Sequence, residues 1–180
     1  LGLNEKDKRF PRKGTIAEMF SKAENTLRPL AEIVVEEFDH FSDHLDALEQ
    51  LQRGYQASKR QRQLVDYDDL LVLLRRLVME DEGVRRTISS LYRYILVDEY
   101  QDTNLAQVRL IRLLAEPERN LLVVGDADQS IYAWRGARPE NLALLQADYP
   151  GLKIVMLEQN YRSTARILKA ANGLIANNSH

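Results

Sequence analysis

Apolar residues recur along this chain in two rhythms. From Thr15, the positions Ile16, Met19, Phe20 and Ala23 follow each other at helical spacing, which predicts a short amphipathic helix with Thr15 as its N-cap and Glu18 as the capping-box partner. A second helical pattern follows Pro29, and a third, very polar one covers about residues 45 to 64. The acidic cluster Asp66-Tyr67-Asp68-Asp69 precedes Leu70, Leu71, Leu73, Leu74, Leu77 and Val78, a strongly periodic helix whose entry carboxylates complement its dipole. The rhythm then changes. Ile95-Leu96-Val97 and Leu121-Leu122-Val123-Val124 are unbroken apolar runs bounded by polar residues, the signature of strands buried on both faces. Between them Thr103 can cap a helix carrying Leu105, Val108, Ile111 and Leu114, closed by Glu116-Pro117. Strand, helix, strand with short connections predicts a parallel βαβ unit with a right-handed crossover by default. Pro139 suits the first turn of a helix containing Leu142, Leu144 and Leu145, Ile154-Val155-Met156-Leu157 predicts a third strand, and Ser163 starts a final helix through Ile167, Leu168, Ala171, Leu174 and Ile175. Residues 1 to about 14 are polar and basic without a sustained period and read as a connecting segment.

Composition narrows the class without naming a partner. The 180 residues, 44% hydrophobic, suffice for one domain with a real core, or one domain and part of another. The 25 basic and 27 acidic residues nearly cancel, so charge alone points to neither nucleic acid nor an anionic membrane. The absence of cysteine excludes disulfides and thiolate metal sites and fits a cytoplasmic setting. No apolar run is long enough to span a bilayer and no signal-peptide pattern opens the chain, so no membrane partner is expected. The sequence opens on Leu1 and stops at His180 just after a helical pattern, and is read as an internal piece of a longer protein.

Two features that could carry chemistry have plainer readings. The run Lys59-Arg60-Gln61-Arg62 could contact phosphate, but such a run is most often a solvated helix face. His40 and His44 lie four apart beside Asp39 and Asp43, yet no HExxH frame or further ligand accompanies them, which favours a surface helix over a metal site.

The chemistry gathers where the first strand stops. Asp98 and Glu99 follow Val97 directly, at the carboxyl end where an α/β sheet usually places its ligand. The second strand also ends in a carboxylate, Asp126 after Gly125, and two such strands describe half of a nucleotide-phosphate site. In P-loop NTPases an Asp at this place helps hold magnesium, which Asp98 fits, and Glu99 could orient or deprotonate a water attacking the γ-phosphate.

Longer stretches sharpen this. Asp98-Glu99-Tyr100-Gln101-Asp102-Thr103-Asn104, the run from Val124 through Gly125-Asp126-Ala127-Asp128-Gln129-Ser130-Ile131-Tyr132-Ala133-Trp134-Arg135-Gly136 to Ala137, and Leu157-Glu158-Gln159-Asn160-Tyr161-Arg162-Ser163 resemble consecutive motifs II, III and IV of superfamily 1 DNA helicases of the UvrD/Rep/PcrA group. The resemblance is close over about residues 66 to 177 and weaker before. It implies an α/β fold: a partial P-loop NTPase (RecA-like) parallel sheet with flanking helices, preceded by a mostly helical segment. It also implies a division into part of helical subdomain 1B (1–65), the C-terminal part of motor domain 1A (66–160) and the start of domain 2A (161–180).

The function implied is that of an ATP-dependent helicase moving 3′ to 5′ on single-stranded DNA. ATP and Mg2+ would be its cofactors, single strands and their junctions with duplex its substrates, and repair or replication proteins its partners. Residue by residue, Asp98 would coordinate magnesium, Glu99 activate water, Gln129 sense the γ-phosphate, Arg162 neutralise charge on the transferred phosphoryl group, and Tyr161 stack on adenine. Tyr132 and Trp134 would stack on DNA bases with Arg135 beside them. The plainer alternatives are a core or edge aromatic for Trp134, a capping and surface pair for Tyr161 and Arg162, and loop-holding roles for Asp102, Thr103, Asp126 and Asp128. Gln101 could couple the metal site to the neighbouring motif. No Gly-x-x-x-x-Gly-Lys-Ser/Thr occurs, and the arginine-bearing motifs V and VI of the group are missing, so this stretch alone is expected not to hydrolyse ATP at a helicase-like rate. A protein that has lost its motor and kept a DNA-binding or scaffolding role, and a nuclease built on the acidic cluster, are the other readings. A bare sheet face would favour self-association.

Overall fold

Two hydrophobic clusters organise the chain in a computed structural model, which describes residues 10–116 and 118–177. The first gathers Met19, Leu30, Val34 and Leu48 with the rings of Phe10, Phe20, Phe38 and Phe41. It is formed by helices α1 (Lys13–Thr26), α2 (Leu30–Glu37) and α3 (Leu45–Arg62), with a 3-10 stretch at Asp39–His44. The second gathers Tyr100, Val108 and Leu145 with Val97, Leu121 and Val123. It lies where the strands β1 (Ile95–Val97) and β2 (Leu121–Val123) meet α6 (Leu105–Ala115) and α7 (Glu140–Asp148). Between the clusters run α4 (Tyr67–Glu80) and α5 (Glu82–Leu91), and α8 (Ala165–Ile175) comes last. Helix α1 joins the halves, touching α2 on one side and α4 and α6 on the other. No helix among the described residues is long and apolar enough to cross a membrane.

The strands pair in parallel with Ile95 opposite Leu121, Leu96 opposite Leu122 and Val97 opposite Val123, as the βαβ pattern predicts. Their burial departs from expectation. Side chains alternate across a strand, and α6 and α7 cover only one face, so Val97, Leu121 and Val123 pack inward while Leu96 and Leu122 stay 71% and 53% exposed. The third expected strand does not form: no described strand lies beside Ile154–Leu157 to take its hydrogen bonds, and its side chains are exposed.

Helix boundaries show where local chemistry outvoted the pattern. The α1 helix opens at Lys13, two residues before the expected cap, because the Arg12 carbonyl already accepts from Ile16 N–H at 3.0 Å; Thr15 lies inside the first turn. Residues 1–9 of the basic segment, and Pro117 after α6, lie outside the described residues. His40 and His44 sit on the 3-10 stretch, where a four-residue spacing does not share a face; His44 meets Phe10 edge-on at 5.3 Å and His40 lies against Phe41 at 4.0 Å. Helix α5 has no counterpart in the sequence reading; the Asp81 carboxylate caps it by accepting from Val84 N–H at 2.9 Å.

The entry to α4 is the most polar joint. Asp66 and Asp69 form a reciprocal capping box, each carboxylate accepting the other's backbone N–H at 2.9 Å. Lys59 reaches across from the end of α3 to both carboxylates, at 2.7 Å from Asp66 and 2.8 Å from one oxygen of Asp69. Tyr55 donates its hydroxyl to Asp66 at 2.9 Å. The solvated-face reading thus holds for Arg60, Gln61 and Arg62 and fails for Lys59, which is 8% exposed because two acids draw it inward.

Candidate functional site

Strand β1 delivers Asp98 and Glu99 to the surface and the chain turns at once. Asp98 Oδ1 accepts the Glu99 N–H at 2.9 Å, and its other oxygen has no hydrogen-bond partner among the described residues. Glu99 adopts a left-handed backbone, φ 51° and ψ 43°, which costs an L-residue about 1 kcal/mol and is the kind of strain that gathers at functional turns. A 3-10 turn at Tyr100–Asp102 follows, anchored by Tyr100, whose side chain is fully buried in the second cluster. Burial pushes the Tyr100 phenol above its ordinary value, so the anchor is a neutral one.

Gln101 is the link between the two strand ends. Its side chain is almost wholly buried; Nε2 donates to Glu99 Oε2 at 2.7 Å, and Oε1 accepts the Asp126 N–H at 3.0 Å. A backbone N–H can only donate and a carboxylate only accept, so the amide has one possible orientation. Gln101 therefore links Glu99 to the backbone of Asp126 through a pair of hydrogen bonds. Gly125 keeps the passage open, since a Cβ there would lie 2.9 Å from Gln101 Oε1.

Beyond it Asp126 holds the loop as expected, accepting from Asp128 N–H at 3.1 Å and from Gln129 Nε2 at 2.8 Å. Gln129 is thereby joined to Glu99 through Asp126 and Gln101. The loop then rises into a 3-10 turn at Ala133–Arg135. Trp134 is 59% exposed, which removes the core-aromatic alternative, and lies 6.4 Å from the Tyr132 ring. The Arg135 guanidinium sits 4.6 Å from the Trp134 ring and 5.6 Å from Tyr132, a cation–π arrangement that braces both rings.

The turn closes against the rest of the fold. Gly136 has φ 81°, and a Cβ there would come 2.9 Å from Thr26 Cγ2 on α1, so glycine is required twice over. Ala137 bridges Asn104, and Arg138 N–H donates to the Thr103 carbonyl at 3.3 Å. Thr103 is not the cap of α6. It is buried, its hydroxyl donates to the Tyr100 carbonyl at 2.6 Å, and its carbonyl accepts from Asn141 Nδ2 at 2.8 Å. The cap is Asn104, paired reciprocally with Gln107 at 2.9 Å.

Tyr161 and Arg162 stand apart. Asn160 Oδ1 accepts both the Arg162 and Ser163 N–H groups, Tyr161 is 92% exposed, and no described contact brings either side chain to Asp98 or Glu99. This local turn displaces the helix start from the expected Ser163 to Ala165, with Thr164 as N-cap.

Among the described residues no three His, Asp or Glu side chains converge to hold a metal ion. Asp98 does offer one hard oxygen that is unpartnered among the described residues, and magnesium commonly takes only one or two protein carboxylates where phosphates and water supply its other ligands. The donor set fits that ion.

Residues 2–150 match the UvrD/REP helicase N-terminal domain. The ATP-dependent DNA helicase Rep of Escherichia coli (strain K12) is 55% identical over 126 residues, covering 70% of this chain and 19% of that protein. Its namesake from Salmonella typhimurium is 53% identical over 126 residues, with 70% and 19% covered. The ATP-dependent DNA helicase PcrA of Leuconostoc citreum is 41% identical over 179 residues, covering 99% of this chain and 23% of the relative. The chain therefore spans between 19% and 23% of the length of these curated relatives. On the match to the family domain and the identity to Rep and PcrA, the chain belongs to the UvrD/Rep/PcrA family of helicases.

Proposed function

We propose that the chain is a segment of a longer ATP-dependent DNA helicase that moves 3′ to 5′ on single strands and opens single-strand/duplex junctions in the cytoplasm, in repair or replication. Residues 1–65 are read as part of subdomain 1B, 66–160 as the C-terminal part of a RecA-like, P-loop motor domain 1A, and 161–180 as the start of domain 2A. The observation that carries the proposal is the Gln101 strap, which makes one hydrogen-bonded unit of the carboxylate-bearing strand end and the loop leading to Trp134.

In this reading Asp98 holds the magnesium ion, which when bound offsets charge on the nucleotide's terminal phosphates. Glu99, one oxygen held by Gln101, turns the other to a water and takes its proton as the water's oxygen bonds to the γ-phosphorus. The bond from that phosphorus to the β–γ bridging oxygen breaks, and ADP and phosphate leave. Gln129 reports the γ-phosphate along the Asp126–Gln101 connection, Arg162 meets the transferred group and Tyr161 the adenine. Tyr132 and Trp134 stack on bases with Arg135 beside them, a contact indifferent to sequence.

Two measurements test this. Trp134→Ala in the full-length protein weakens binding of an oligo-dT strand about tenfold, as expected of one lost stacked base, with the melting temperature unchanged. Unchanged affinity by fluorescence anisotropy removes Trp134 from the DNA surface. The 180-residue chain, which carries no phosphate-cradling loop, has no helicase-like ATPase; several turnovers per second from the purified chain would overturn the division of the active site assumed here.

A further inference from the structure

One side chain remote from the strand ends ties together the parts of the site. Asn25, on the last turn of α1, donates from Nδ2 to Asp68 Oδ1 at 2.9 Å, and its Oδ1 accepts from Asn104 Nδ2 at 2.9 Å. Its neighbour Thr26 is buried with its methyl against Gly136. Asp68 stands in the first turn of α4, Asn104 closes the loop that begins at Asp98, and Gly136 ends the turn that carries Trp134 and Arg135. Two residues that lie 43 and 79 positions beyond Asn25 thus meet at its amide.

The polarity of this connection is fixed at both ends. Gln107 N–H can only donate, so it claims Asn104 Oδ1 at 2.9 Å and leaves Asn104 with Nδ2 to offer. The Asp68 carboxylate can only accept. Between a donor on one side and an acceptor on the other, a short side chain must present one of each, which asparagine does. Aspartate in its place would face Asp68 with like charge, and alanine would leave both neighbours unpaired.

We infer that Asn25 is a positioning residue: it holds the Trp134 turn and the Asp98–Asn104 loop in fixed relation by fastening both to the entry of α4. The Ala137–Asn104 bridge and the Arg138 to Thr103 hydrogen bond are what it keeps in register. Its effect on DNA rests on the reading of Tyr132 and Trp134 proposed above; its effect on the two loops does not.

Hydrogen exchange in the full-length protein separates the two. In Asn25→Ala, peptides spanning 98–110 and 132–141 exchange about tenfold faster, while those of α2 and α3 stay unchanged. Uniform acceleration throughout, or none in those two stretches, overturns the inference. The exchanged pair Asn25→Asp with Asp68→Asn supplies a second arm that survives poor folding of the alanine variant. A carboxylate at position 25 accepts from Asn104, from the new amide at position 68 and from the Ser21 hydroxyl, and gives up only the bond that Asn25 Nδ2 makes to the Ser21 carbonyl at 2.9 Å, so the pair recovers most of the protection that Asn25→Asp alone loses. A pair as unprotected as the single variant also overturns it.

On oligo-dT, Asn25→Ala loses about fivefold in affinity in the presence of Trp134, and nothing further once Trp134→Ala is made, the non-additivity expected of a residue acting through the tryptophan. Additive losses reject that route. If Trp134→Ala itself leaves affinity unchanged, the DNA reading falls and the exchange result still decides the joint.

Discussion

Glu99→Gln in the full-length protein should leave single-stranded DNA binding intact and lower ATP turnover by a factor of about 10²–10⁴, the usual range for losing a general base. The substitution is close to isosteric, and the strap survives it. Gln101 Nε2 donates to Glu99 at 2.7 Å, and a glutamine carbonyl at position 99 accepts that bond equally well. What faces the water is then an amide NH2, which has no lone pair for a proton. Position and shape persist while the chemistry is removed. Steady-state ATPase at saturating oligo-dT is the measurement, and near-normal turnover would take Glu99 out of the proton-transfer step.

The second large effect concerns the fold. Lys59→Met should lower unfolding free energy by about 3 kcal/mol at neutral pH, because it leaves two partly buried carboxylates facing each other without their cation. Burial pulls the Lys59 ammonium below its ordinary value, but the hydrogen bonds to Asp66 and Asp69 outweigh it and hold the pKa above 10.5. Burial likewise pushes Asp66 up, and its bonds from Lys59, the Asp69 backbone and Tyr55 outweigh that and hold it below 3.8.

A raised ammonium stabilises the fold below 10.5 and ceases to do so as pH climbs through its folded value. A depressed carboxylate stabilises above 3.8 and ceases to do so as pH falls through its own. Both terms are complete at neutrality. Glu24 works the other way: burial, then Asp69, raises it above 4.5, so its folded form favours the proton and its penalty at neutral pH is relieved in acid. Urea titrations should show the variant's deficit wide at pH 7 and narrowed near pH 3. A deficit independent of pH would assign the loss to packing alone.

What the sequence made legible was whatever one stretch of chain decides for itself. The apolar runs at 95–97 and 121–123 paired in the expected parallel order, and Asp98, Glu99 and the Gln101 link stood in one continuous segment. What it concealed depends on neighbours distant in sequence. Lys59 looks like its neighbours Arg60 and Arg62 until Asp66 and Asp69 fold back upon it. Thr103 is as good a cap as Asn104 by residue type, and only the call on its hydroxyl from the Tyr100 carbonyl and on its own carbonyl from Asn141 decides against it. The run at 154–157 has strand composition but lacks a partner among the described residues, and a strand is defined by its partner. Asn25 carries no signal at all in one sequence, since its two distant partners, Asp68 and Asn104, are brought to it by two other helices, α4 and α6.

The left-handed backbone of Glu99 has a further bearing. An exposed side chain held, among the described residues, by Gln101 alone gains little packing to offset a conformation that glycine would adopt freely. Stability by itself therefore favours replacing it. On the proposed role of Glu99, a lineage that gave up ATP hydrolysis would gain by drifting to glycine or asparagine here, and only that role would offset the cost of keeping a glutamate in this backbone.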